Sequence, residues 1–115
     1  VGRHRASVDA LQTPYPVPQE NGNHVGARWL RLYGGGRPQF RVTGDPHFAF
    51  TVRRWTTEDL DRAVRPHDLR PSDTVWLNID HLQQGLGSAS CGPALPDRYR
   101  IPVKPYEFGV TLAID

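Results

Sequence analysis

The last ten residues constrain the fold most. Tyr106, Phe108, Val110, Leu112 and Ile114 alternate with Glu107, Gly109, Thr111, Ala113 and Asp115. Successive side chains of a strand point to opposite faces, so this pattern predicts a strand over residues 106–115 that buries one apolar face. The chain end is then tied into a sheet. Shorter runs predict further strands at 27–33, 39–43, 47–55 and 74–81. In the third, Phe48, Phe50 and Val52 share a face; in the fourth, Val75, Leu77 and Ile79 oppose Trp76, Asn78 and Asp80. Gly34-Gly35-Gly36 lies between the first two runs and suits a tight turn with positive φ. Gly44-Asp45-Pro46 is expected to separate the next two.

One helix is predicted near 57–64. A threonine precedes Glu58 and Asp59, which accept from the free N–H groups of a first turn, and Pro66 closes the segment. Residues 1–23 and 88–96 read as irregular. The whole predicts an all-β chain, an antiparallel β-sandwich with one short helix, in a single domain over residues 1–115.

Composition narrows the function. Eleven aromatic residues argue for a packed core, and eleven glycines with eleven prolines make it turn-rich. Thirteen of the fourteen basic residues are arginine, but they are scattered, and the tightest pair is Arg53–Arg54. Nucleic-acid binding requires a basic stripe that tracks phosphates, so these read as solvated surface. No apolar run has the length of a membrane span, and a single cysteine gives no internal disulfide. The expected compartment is the cytoplasm. The chain starts at Val1 and contains no methionine, which reads as a piece of a longer protein. The five histidines show no metal-ligand spacing, so no metal or other cofactor is expected from this segment. Trp29 and Trp76 sit in apolar strand patterns and are expected in the core.

Three blocks occur in order. The first is Pro14-Tyr15-Pro16-Val17-Pro18-Gln19-Glu20-Asn21-Gly22-Asn23. The second is Phe48-Ala49-Phe50 leading to Trp55-Thr56-Thr57-Glu58-Asp59-Leu60. The third is Trp76-Leu77-Asn78-Ile79-Asp80-His81, continuing through Gly85-Leu86-Gly87-Ser88-Ala89-Ser90-Cys91-Gly92-Pro93 to Tyr99. In that order they resemble the final domain of glycoside hydrolase family 2 β-galactosidases. The resemblance implies the second half of a galactose-mutarotase-like super-sandwich, small-chain-like, that leans on a (β/α)8 barrel absent here. It implies a retaining hydrolase of terminal β-D-galactosides such as lactose, with both catalytic glutamates on that barrel. Magnesium and sodium, where such enzymes use them, would belong to other domains. The implied partners are the remaining domains, carbohydrate at the active-site rim, and further copies in a homo-oligomer, with neither nucleic acid nor membrane.

No catalytic residue is assigned to this chain. Glu58, Asp59 and Asp61 cluster where acids serve a helix dipole, and Asp80 reads as a hydrogen-bonding residue ahead of a general acid. The candidate substrate contacts are Ser88, Ser90, Cys91, Asp80 and His81. Glycines and serines over 85–93 let backbone approach a ligand and supply donors. The best-known family members stack a tryptophan on the sugar at the position of Cys91; a thiol has no such face, so the platform is not carried over. For Cys91 rim contact and plain packing stand side by side, and His81 reads as packed or as pocket-lining. Glu20 and Asn21 read as bonding to backbone at a turn, with a polar cluster near the barrel or sugar as the other reading. The chain alone is expected to be inactive. A stand-alone carbohydrate-binding β-sandwich module and a small subunit of a two-chain enzyme are the alternatives.

Overall fold

The structure, a computed structural model, describes residues 1–84 and 92–114. Four strands and one helix follow in the order β1 (His24–Gly34), β2 (Arg37–Arg53), α1 (Thr57–Arg62), β3 (Trp76–Asp80) and β4 (Gly109–Ile114), with 3-10 turns at Asp9–Leu11, Pro66–Asp68 and Asp97–Tyr99. The fold is all-β. The strands form one four-stranded sheet in the order β1-β2-β3, and β4 pairs with β2 as well. The β2–β4 pairing is antiparallel, with Phe40 opposite Ile114, Val42 opposite Leu112 and Gly44 opposite Val110.

β1 and β2 join through Gly35 and Gly36, whose φ values of +58° and +78° make the two-residue turn that matches strand twist. The turn expected at Gly44-Asp45-Pro46 forms inside β2: a Cβ on Gly44 would sit 2.8 Å from His47 Cα, so the chain folds back over residues 44–47. Strand pairing is kept on both sides of the turn, so β2 spans it, and its pairing with β4 reaches Asp45. Glycine permits the turn, because that Cβ would also sit 2.8 Å from the Phe48 ring. The strand expected from Tyr106 begins at Gly109.

Contacts gather in two units. The first takes Val1–His24 with Phe50–Asn78. Its core holds Val52, Leu60 and Ala63, together with Thr51 and Arg53. α1 begins as predicted: Thr56 Oγ1 accepts from Asp59 N at 3.1 Å, and Asp59 Oδ2 accepts from Thr56 N at 3.0 Å, a reciprocal capping box. The helix stops at Arg62, two residues short of the expected end, and Pro66 opens the next 3-10 turn instead of closing the helix. Leu60 is its buried residue.

The second unit takes Val25–Ala49 with the residues from Ile79 onward. Val42, Phe48 and Ala49 are buried in it. The alternating apolar set of the last segment is largely uncovered, with Tyr106 and Phe108 each 40% exposed, Leu112 55% and Ile114 89%. Trp29, expected in the core, is half-exposed. The alternation is therefore present, but the apolar face is only partly covered among the described residues: Val42, opposite Leu112, is buried, while Leu112 and Ile114 stay exposed. Those residues supply one sheet layer, and the second layer of a sandwich is not among them.

Candidate functional site

The end of β2 organises the most elaborate polar cluster in the first unit. Arg53 is 1% exposed. A buried guanidinium requires charged partners, because its desolvation is otherwise uncompensated. Glu20 supplies them: Arg53 Nη1 donates to Oε2 at 2.5 Å and Nη2 to Oε1 at 2.9 Å, a two-point geometry suited to guanidinium and carboxylate. Nη2 also donates to Thr57 Oγ1 at 3.0 Å, and that hydroxyl donates to Glu20 Oε1 at 3.0 Å. Burial raises the Glu20 pKa, but the Arg53 hydrogen bonds and charge, with Thr57, outweigh it and hold the carboxyl below its ordinary value. A carboxylate so committed is an ion-pair partner and a poor proton donor near neutral pH.

Around this pair, residues 12–24 are fastened along β2. Gln12 Nε2 donates to Val52 O at 2.9 Å, Asn23 Nδ2 to Thr51 Oγ1 at 3.4 Å, and the His24 ring stacks on Phe50 at 5.1 Å. The two stems of the loop are tied to each other as well. Asn21 Oδ1 accepts from Thr13 N at 2.7 Å. Gly22 has φ +72°, and a Cβ on it would lie 2.5 Å from Leu11 O, so only glycine fits this crossing. Residues 13–21 thus form a compact loop with closed ends.

Asn21 bonds to backbone, as expected of a turn residue. Glu20 bonds to the Arg53 and Thr57 side chains instead. The Arg53–Arg54 pair, read as solvated surface, is structural. Arg53 is buried, and Arg54 Nε donates to Ser72 O at 2.8 Å while its guanidinium lies 3.7 Å from Asp9 and from Asp73. The missed signal was an arginine at an odd position of an apolar strand, which local pattern alone does not separate from an outward-facing one.

Glu58 and Asp59 of α1 serve the helix start. The Glu58 carboxyl is lowered by its own backbone N–H and then by Thr56, and that of Asp59 by the backbone N–H of Thr56. Asp59 also accepts from Arg62 at 2.9 Å. Both carboxyls are held ionised by donors at the helix start.

In the second unit, His81 lies 5.6 Å from the Tyr106 ring and 5.1 Å from the Phe108 ring. Tyr106 donates its hydroxyl to Pro102 O at 2.5 Å, which fixes the ring beside His81. Asp80 and His81 are both partly buried, at the end of β3 and just beyond it. Ser88, Ser90 and Cys91 lie outside the described residues. Among the described residues no group of three His, Cys, Asp or Glu side chains is placed to hold a metal ion, and no helix is long and apolar enough to cross a membrane.

Fold and cluster together define an all-β segment in which charged side chains brace a loop and a helix against a strand. Residues 1–112 match the family described as β-galactosidase small chain. Relatives named β-galactosidase include those of Arthrobacter sp. (strain B7), 37% identical over 98 residues and 81% of this chain; Photobacterium profundum, 31% over 112 residues and 96%; and Actinobacillus pleuropneumoniae, 31% over 115 residues and 100%. This chain belongs to the β-galactosidase small-chain family. It spans only 10 to 11% of the length of those relatives, so it corresponds to a segment of a much larger enzyme.

Proposed function

We propose that this chain is a non-catalytic β-sandwich segment, at the C-terminal end, of a cytoplasmic β-galactosidase that hydrolyses terminal β-D-galactosides such as lactose. One observation carries the reading: the chain matches β-galactosidases over nearly all of its own length and about a tenth of theirs. The use of its acids agrees. Retaining glycoside hydrolysis requires two carboxyl groups about 5–5.5 Å apart across the sugar. Glu20 is committed to Arg53, and Glu58 and Asp59 to a helix start. The catalytic pair, and any magnesium or sodium ions, then belong to other domains, and the second sandwich layer comes from the preceding part of the polypeptide.

In this reading the segment lends residues 85–93 to the rim of the active site, with Ser88, Ser90, Cys91, Asp80 and His81 as its substrate contacts. The test compares the isolated chain with the full-length protein on a chromogenic galactoside. Turnover by the full protein and none by the chain is expected; turnover by the chain overturns the accessory role. Calorimetry of the isolated chain with galactose and lactose completes it. Saturable binding would mark a free-standing carbohydrate-binding module instead.

A further inference from the structure

Asn21-Gly22 is the chain's one Asn-Gly pair; the other asparagines, Asn23 and Asn78, precede His24 and Ile79. An asparagine followed by glycine has an attacking group beside it. In a free chain the Gly22 amide nitrogen reaches the Asn21 side-chain carbonyl carbon with no Cβ in the way. A C–N bond forms there and closes a succinimide, while the C–N bond to the side-chain nitrogen breaks. The Gly22 N–H proton leaves with that nitrogen as ammonia. Water then opens the ring. Attack at the side-chain carbonyl gives aspartate, and attack at the main-chain carbonyl gives an isoaspartyl link.

In the folded loop both reacting groups are held in other contacts. Asn21 Oδ1 accepts from Thr13 N at 2.7 Å and Nδ2 donates to Gln19 O at 3.0 Å, so both ends of the amide are committed to residues before it. Gly22 is fixed from its other side. His24 Nδ1 donates to Gly22 O at 2.7 Å, and a Cβ on Gly22 would lie 2.5 Å from Leu11 O. Closing the ring takes the Asn21 amide from Thr13 and Gln19 and breaks both hydrogen bonds. The stems that must part are tied by Gln12–Val52 and by Arg53 with Glu20 and Thr57.

We propose that Asn21-Gly22 is a spontaneous modification site that the closed loop keeps latched, and that its conversion opens the loop irreversibly. The reaction proceeds from the opened loop, so its rate follows the fraction of molecules that are open. The Glu20–Arg53 pair thereby governs chemistry at a bond it does not touch. The product cannot restore the latch. Aspartate at this position has no N–H for Gln19 O and adds a negative charge beside Glu20. The isoaspartyl link inserts a methylene into the main chain ahead of Gly22, whose fit against Leu11 O leaves no room for a shift. Conversion thus records the age of the folded segment, whatever reaction the full protein performs.

The test is peptide mapping by mass spectrometry of the full-length protein, aged near neutral pH both folded and in urea. In urea, Asn21 should convert faster than Asn23 and Asn78. In the folded protein it should convert at least about tenfold more slowly than in urea. Thr57→Ala removes one hydroxyl of the brace at an exposed position and should raise the folded rate about threefold. Glu20→Ala should raise it about tenfold or more. Equal rates in the folded protein and in urea overturn the proposal, as does an Asn21 no faster than Asn23 in urea, or Thr57→Ala converting at the unmodified rate. Hydrogen exchange on the aged, folded sample completes the test, because converted and unconverted peptides over residues 13–23 differ in mass. The converted peptide should exchange about tenfold faster. Equal exchange in the two overturns the opening of the loop.

Discussion

Arg53 and Glu20 meet through two hydrogen bonds of 2.5 and 2.9 Å, although 33 residues separate them in the sequence. The arginine is buried at the end of β2, and the glutamate closes a loop that would otherwise be held by turn chemistry alone. Thr57 bonds to both partners and brings the first turn of α1 into the same contact. One ion pair therefore joins strand, loop and helix in the first unit.

Removing Glu20 should be costlier than removing the pair. Glu20→Ala leaves a buried guanidinium with one hydroxyl partner, and breaking a buried pair costs about 3–5 kcal/mol. The lower end applies, because the Glu20 side chain is 34% exposed. Hydrogen exchange of the amides of residues 13–23 is the readout, and their protection should fall about 100-fold. Adding Arg53→Met to Glu20→Ala should restore part of that protection, since the uncompensated charge is gone.

The same pair sets an acid limit. The Glu20 carboxyl in the folded chain titrates below its ordinary value of 4.5. A depressed folded pKa gives stability that is present above the unfolded value and is lost as pH falls through the folded one. Loop protection should be level from neutral pH down to about 4.5 and then decline. In Glu20→Gln this decline should be absent. A decline of equal size in that variant would assign it to other carboxylates.

Much of this fold was legible because it is local. The alternation at 106–115, the paired glycines at 35 and 36, and the Thr56–Asp59 cap each act within a few residues, and the structure places a strand, a turn and a helix start there. What sequence pattern missed depends on distant contacts. Gly44-Asp45-Pro46 makes the turn its composition predicts, but pattern alone did not show that ladder pairing with β4 would reach into it at Gly44 and Asp45. Arg53 has the composition of surface until Glu20 arrives across it. Trp29 has the composition of core, yet what would cover it is absent from the described residues. The candidate site was legible only in part. His81 is placed against Tyr106 and Phe108, with Asp80 in the same unit, while Ser88, Ser90 and Cys91 fall outside the described residues.

The cap of α1 offers a smaller, separable effect. Thr56→Ala removes the acceptor of Asp59 N and should destabilise the first unit by about 1 kcal/mol. Thr56→Ser keeps the oxygen and should be near neutral. Because α1 has six residues, its amides should lose protection together. Exchange rates of Leu60 and Ala63 amides, which bond to Thr56 O and Asp59 O, report the change.

Gly22→Ala should open the loop from its stem. The residue combines positive φ with a Cβ position 2.5 Å from Leu11 O, and backbone at that distance cannot yield as a flexible side chain would. Strain of this kind costs on the order of 1–3 kcal/mol. Gly26→Ala is the control. It has a similar φ of +69° but open space around its Cβ, so it should carry the conformational cost without the clash and be the milder of the two in thermal unfolding.

The uncovered face of β4 predicts how the isolated chain behaves in solution. Leu112 and Ile114 point to the same face as their cross-strand partners Val42 and Phe40, and are 55% and 89% exposed. Burying one such side chain is worth about 1.5–3 kcal/mol, so a second copy has a strong incentive to cover them when the rest of the enzyme is missing. Sedimentation of the isolated chain should show self-association at micromolar concentration. Leu112→Ser with Ile114→Ser should weaken it by at least about tenfold, since each tenfold step corresponds to about 1.4 kcal/mol. Thr111→Ser, exposed on the opposite face of the same strand, should leave it unchanged. Within the full-length protein the pattern should reverse. On the proposed reading a second layer covers the face there, and the double variant should lower the unfolding temperature of the domain without altering its oligomeric state. A monomeric isolated chain, or a double variant that associates as strongly as the original, would remove the argument that this face awaits a second layer.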